Sequence, residues 1–370
     1  IKEFKALVKR THRAGLKVIM DFVPNHVARQ YHSDAKPAGI VDLGEEDNKE
    51  FHFLPTNNFY YLPGQALVGN IDMHCGEPEP YVENPAKATG NDKFDAWPGR
   101  NDWYETVKLN YGKDYSNGKC FFNPIPNTWK KMLDIVSYWA DMDVDGFRCD
   151  MAEMVPCEFW GWMIPQIKEK HPEIKFIAEV YNPSLYRNFI YGGHFDYLYD
   201  KVGLYDTLRA VTCGQNTASA ITGCWQSVQD IQEHMLNFLE NHDEQRIGSD
   251  FFAGNGSKGK PALVISSCLN TNPMMIYFGQ EFGEQGMDSE GFSGRDGRTT
   301  IFDYWSVDTI RRWRNLGRFD GRMLRSSEKE LQAFYAKVLN LCNEEKAIRE
   351  GQTFDLMYVN YGGWLLNDQR

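Results

Sequence analysis

Four short stretches carry side chains able to do acid–base or nucleophilic chemistry: Asp21 with Asn25 and His26, Arg148 with Asp150, Glu179 by itself, and Asn241 with His242 and Asp243. In Lys17-Val18-Ile19-Met20-Asp21-Phe22, Asp145-Gly146-Phe147-Arg148-Cys149-Asp150, Lys175-Phe176-Ile177-Ala178-Glu179-Val180 and Met235–Leu239, a short apolar run leads into the polar residues. Carboxylates brought close together resist joint ionisation, so clustering them is costly unless their charge is used. Arg148 precedes Asp150 by two positions, shares its side of a strand, and can hold it ionised. One carboxylate kept charged beside another kept protonated is the pairing that glycosidic-bond cleavage needs. Singly, each group has a plainer reading. Asp21 can be a strand-end acceptor, His26 and His242 structural histidines, and Asp150 with Arg148 a structural ion pair. Glu179 is harder to explain away, because a carboxylate on an apolar strand is costly to bury unless it is paired or used.

The elements around these residues alternate. Phe4, Leu7, Val8 and Thr11 predict an amphipathic helix ending near Gly15, before the strand that leads to Asp21. Trp129, Met132, Val136 and Trp139 predict a helix before the Arg148 strand, and residues 158–170 predict another before Glu179. Further strands are expected at Phe195–Tyr199, Met235–Leu239 and Met274–Phe278, with a late helix over 329–343. Strands and helices in such alternation imply parallel βαβ units and favour a TIM (β/α)8 barrel, whose functional groups gather at the C-terminal ends of its strands. Residues 27–118 break the pattern. They are rich in Gly, Pro, Asn and aromatics and read as an inserted B domain, since a plain loop of that length does not suit a compact domain. The barrel then covers 1–26 and 119–350. Residues 351–370, with Phe354–Val359 and Trp364-Leu365-Leu366, read as the opening hairpin of a C-terminal β domain.

Composition narrows the partners. The 370 residues are 42% hydrophobic and 25% charged, with a net charge of −11, which is ordinary folded-domain chemistry. An acidic surface repels phosphate backbones, so nucleic acid is not expected as a partner. No apolar run approaches the ~18 residues a membrane span needs. The eight cysteines form no Cys-x-x-Cys and no zinc spacing, and read as dispersed buried thiols in preference to a Cys213–Cys224 disulfide. Aromatic residues make up 14% of the chain; most serve as core, and some can stack on sugar faces.

Asp21-Phe22-Val23-Pro24-Asn25-His26, Asp145–Asp150, Phe176–Val180 and Phe238-Leu239-Glu240-Asn241-His242-Asp243 resemble, in order, the four signature segments of the α-amylase family of glycoside hydrolases. The insertion after the first segment falls where that family carries its B domain. The resemblance implies Asp150 as nucleophile, Glu179 as general acid/base and Asp243 as transition-state stabiliser. It implies that Arg148, His26 and His242 orient the nucleophile and hold the sugar. The implied substrate is an α-1,4-glucan or maltooligosaccharide, cleaved by a retaining double displacement with no organic cofactor. Transglycosylation by the same residues, or an inactive glucan-binding barrel, are the alternatives.

Asn25 matches a position that helps bind calcium in many members of that family. Four residues after Asp150, where calcium-dependent relatives often carry histidine, stands Met154, whose thioether is a poor calcium ligand. The acidic residues Asp72, Glu77, Glu79, Asp92, Asp95 and Asp102 can supply oxygens, yet the expectation is that no calcium is tightly held between barrel and B domain. Val107-Lys108-Leu109-Asn110 resembles the family's fifth segment in its neopullulanase-like form, with Lys where many amylases have Asp. Set against the family barrel, the sequence begins at the helix before the third strand. The first two strands are therefore expected to lie outside it, in a longer polypeptide.

Overall fold

The computed structural model describes residues 1–33, 36, 38–69, 73, 74, 76, 78–289, 294–301 and 306–360. Asp72, Cys75, Glu77 and the expected Trp364–Leu366 strand lie outside the described residues. The chain forms two compact units, Ile1–Asp196 and Tyr197–Arg370.

The first unit opens with helix α1 (Lys2–Arg13). Its apolar stripe turns Val8 inward and sets Phe4 edge-on against Trp139, ring centroids 5.2 Å apart. Gly15, at a φ of +74° that favours glycine, turns the chain out of the helix. Strand β1 (Ile19–Phe22) follows. Short antiparallel strands then account for the irregular stretch: β2 (His26–Ala28), β3 (Tyr61–Leu62), β4 (Ala86–Lys87), β5 (Thr106–Lys108), β6 (Lys113–Asp114) and β7 (Lys119–Cys120). They pair β2 with β5, β3 with β4 and β6 with β7. Polar staples supplement small apolar clusters here, among them a buried Arg29–Glu83 ion pair at 2.6 Å.

Helix α2 (Asn127–Ala140), strand β8 (Gly146–Cys149), helix α3 (Cys157–Lys170) and strand β9 (Lys175–Ala178) complete the unit. β1, β8 and β9 are parallel neighbours, with Asp21 opposite Arg148 and Arg148 opposite Ile177. Every residue of β8 is buried, which requires Gly146: a Cβ there would sit 2.7 Å from the Lys175 carbonyl. Phe147 stacks on Phe176 and Phe22 meets Trp160 edge-on, so aromatic area fills the layer between sheet and helices.

The second unit carries the parallel strands β10 (Tyr197–Tyr199), β11 (Met235–Phe238) and β12 (Met274–Met275), with β11 in the middle. Helices α4 (Asp206–Thr212), α5 (Ala220–Ser227), α6 (Lys260–Cys268), α7 (Asp308–Arg314) and α8 (Ser326–Glu344) surround them. The strand expected at Phe354–Val359 does not form. The Asp355 carboxylate accepts hydrogen bonds from Thr222, Trp225 and the Met357 N–H, and the last of these coils the chain into a 3-10 turn over Met357–Asn360. Cys213 and Cys224 are both free thiols.

Candidate active site

The ladder between β8 and its neighbours continues past the strands themselves. The Asp150 N–H donates to the Phe22 carbonyl at 2.9 Å, and the Glu179 N–H donates to the Cys149 carbonyl at 3.1 Å. Both carboxylates are thus fixed at adjacent C-terminal strand ends by main-chain bonds. Arg148, one position inside β8, places its guanidinium among them. Its Nη1 donates to Asp150 Oδ1 at 2.7 Å and to Asp21 Oδ1 at 3.0 Å, while its Nη2 lies 2.9 Å from Glu179 Oε2. One cation therefore serves three carboxylates, with Glu179 only 2% exposed and Asp21 56% exposed.

The imbalance shows in the titration of Asp150, whose carboxyl is lifted to about 6. Burial is the main cause and the negative charge of Glu179 adds to it, with Arg148 pulling the other way. Arg148 contacts Asp150 as the sequence suggests, but it does not return the carboxyl to the ordinary range. Near neutrality Asp150 is still ionised, and so able to act as a nucleophile.

Glu179 has two further partners that the sequence reading did not single out. The Tyr181 hydroxyl donates to Glu179 Oε1 at 2.7 Å, and the Met151 N–H donates to Oε2 at 2.8 Å. Met151 makes that bond from a left-handed conformation, φ 44° and ψ 41°, which is strained for a non-glycine residue. The spacing of two residues just past β9 was the available sequence signal for Tyr181; nothing local pointed to Met151. Asp21, which the sequence also allows as a plain strand-end acceptor, accepts from the Arg148 guanidinium, a partner the sequence did not indicate.

Asn25 and His26 lie just beyond β1. The Asn25 side chain is buried, donates to the Gly90 carbonyl at 2.8 Å and faces His26 Nδ1 at 3.2 Å. His26 leans on Trp103 and stands opposite Lys108 in the β2–β5 pair. Burial, reinforced by the Lys108 charge, lowers the His26 imidazole to about 4, so it is neutral at physiological pH.

In the second unit, the segment after β11 is shaped by buried Asn241, whose Oδ1 accepts the N–H groups of Asp243 and Glu244, both at 2.9 Å. His242 Nε2 lies 3.3 Å from Asp243 Oδ2. Asn241 thus turns the backbone so that His242 and Asp243 form a pair.

These features define a class. Residues 1–316 match the family model for the alpha-amylase catalytic domain, and the chain belongs to that family, with its α/β TIM-barrel fold. Among individual relatives, it is 28% identical over 290 residues to alpha-amylase MalA of Haloarcula japonica, covering 77% of this chain and 34% of that protein. It is 26% identical over 302 residues to a 4-alpha-glucanotransferase of Thermotoga maritima, covering 77% of this chain and 57% of the relative. Neopullulanase 2 of Thermoactinomyces vulgaris is 20% identical, over 76% of this chain and 41% of the relative. The ligand-free structure of a cyclic alpha-maltosyl-(1→6)-maltose hydrolase from Arthrobacter globiformis superposes with a TM-score of 0.61 at 18% identity, covering 95% of this chain and 64% of that one. The chain thus spans between one third and two thirds of the length of these proteins.

Proposed function

We propose that the protein cleaves α-1,4-glucosidic bonds of starch, glycogen or maltooligosaccharides by a retaining double displacement. The observation that carries this reading is the sharing of Arg148 between Asp150 and Glu179 at adjacent strand ends. Asp150 and Glu179 are interacting carboxyls that can hold one proton between them; with that proton on Glu179, Asp150 attacks the anomeric carbon while Glu179 gives the proton to the departing glycosidic oxygen. Glu179, now a carboxylate, takes a proton from water as that water attacks the same carbon, and Asp150 leaves. The Tyr181 hydroxyl and the Met151 N–H fix the Glu179 carboxyl through both steps. Asp243 is assigned to stabilising charge in the transition state, and His26 and His242 to holding sugar hydroxyls, by their match to the family segments. Neutral His26 can both donate and accept a hydrogen bond to a hydroxyl.

Relatives named as an amylase and as a 4-alpha-glucanotransferase support action on α-glucans and leave two acceptors for the glycosyl group. We favour water. Incubation with maltoheptaose and chromatography of the products tests this: net new reducing ends mark hydrolysis, redistribution of chain lengths without new ends marks transfer, and unchanged substrate refutes the enzyme reading.

A further inference from the structure

Asn25 matches a position that helps bind calcium in many members of the family, and the residues around it do not fit such an ion. Lys108, on β5, points its ammonium into that place with a side chain only 2% exposed. Nζ donates to Asn25 Oδ1 at 2.5 Å and to the Met154 carbonyl at 3.2 Å, and lies 2.7 Å from Asp92 Oδ1. An amide, a peptide carbonyl and a carboxylate are the hard oxygen donors a calcium ion takes. Here they converge on a group with three donors of its own, so three acceptors satisfy it. Calcium wants about six to eight oxygens at roughly 2.3–2.6 Å, and a divalent ion cannot share these three with a buried ammonium at contact distance. The Met154 thioether adds nothing for a hard cation. Among the described residues, no group of three or more His, Cys, Asp and Glu side chains is arranged to hold a metal.

We propose that the Lys108 ammonium is the resident cation of this junction, standing in the place of calcium, and that the cage takes no metal ion. Burial, with the nearby Lys113 charge, lowers the Lys108 pKa, and the Asp92 carboxylate opposes the fall. The cage joins four distant points of the first unit. Lys108 and Asp92 come from the inserted segment, Asn25 follows β1, and Met154 lies four residues beyond Asp150. Asn25 in turn contacts His26, and the loop holding Met154 begins at Met151, whose N–H binds Glu179. A covalently attached cation gives this junction a tether that no chelator removes.

Calcium titration by calorimetry, combined with thermal melting, tests the assignment on the purified protein without reference to its substrate. The melting temperature of the unaltered protein is expected to be the same in excess EDTA and in excess calcium. Lys108→Met should melt lower by at least ~6 °C, the consequence of leaving the buried Asn25 amide oxygen, the Met154 carbonyl and the partly exposed Asp92 carboxylate without their shared donor, and calcium should not restore it. Asp92→Asn should bind as many calcium ions as the unaltered protein. An ion bound by the unaltered protein and lost in Asp92→Asn would put metal in the cage and overturn the proposal. So would a Lys108→Met variant that melts with the unaltered protein.

Discussion

Two arginines near the ends of parallel strands show opposite uses of a buried guanidinium. Arg246, after β11, is 0% exposed and pairs with a single carboxylate, Glu240, 1% exposed, at 2.9 Å. Its other direct contacts are uncharged: the Phe278 carbonyl, the Thr299 hydroxyl and the faces of Tyr277 and Phe278, with the Glu281 and Glu284 carboxylates farther out. Glu240 is completed by the Ile247 N–H. In direct contact the pair is one charge against one, and it is closed to solvent. Arg148 is surrounded by Asp21, Asp150 and Glu179, so its neighbourhood carries excess negative charge. Balanced pairs hold a fold together. Burial raises the carboxyl pKa in both places, at Glu240 and at Asp150, but only at Asp150 does a second carboxylate in contact with the same arginine, Glu179, add to the rise.

The comparison breaks first at the glutamates. Glu179→Gln should lose at least ~10²-fold in kcat, the usual contribution of a positioned general acid, with its melting temperature nearly unchanged. Glu240→Gln should do the reverse, keeping turnover per folded molecule while melting lower. Swapped outcomes would mean the two sites have been assigned the wrong way round. The next effect is on stability alone: Arg246→Met leaves Glu240 buried and unpaired and should cost about 3–5 kcal/mol in a denaturant titration.

Asp150→Asn sharpens the point from the other side. A carboxyl whose folded pKa is raised to about 6 stabilises the fold below its unfolded value and loses that contribution as pH rises through 6. At pH 7 the ionised group therefore opposes folding. Asp150→Asn, expected to be inactive, should then melt higher than the unaltered protein by about 2–5 °C at pH 7, a gain that shrinks towards pH 4. The same titration predicts an acid limb of activity near pH 6 in a pH–rate profile. The smallest effect is expected at Tyr181→Phe, which removes one hydrogen bond from Glu179 and should lower kcat about 2–10-fold; no change at all would make Tyr181 a bystander.

Much of this was legible in the sequence because strand ladders are local. Apolar runs placed β1, β8 and β9 to within a few residues, and ladder bonds carried the pattern on to Asp150 and Glu179. The spacing of two put Arg148 beside Asp150. Other features needed tertiary structure. The Lys108 cage draws on positions 25, 92, 108 and 154, and no short window brings them together. Arg246 and Glu240 sit six residues apart across a turn that periodicity does not describe. Phe354–Val359 has a strand-like alternation of apolar residues, yet Asp355 finds two side-chain donors on α5 and the segment coils instead.

The central claim is that Asp150 forms a covalent bond to the sugar. Glu179→Gln incubated with α-maltosyl fluoride tests it most directly. Fluoride departs without an acid, so the first step proceeds, while loss of the base delays release of the intermediate. Peptide mass mapping should find a maltosyl group on the peptide that contains Asp150. An unmodified Asp150 peptide, or the sugar on another carboxylate, would contradict the account.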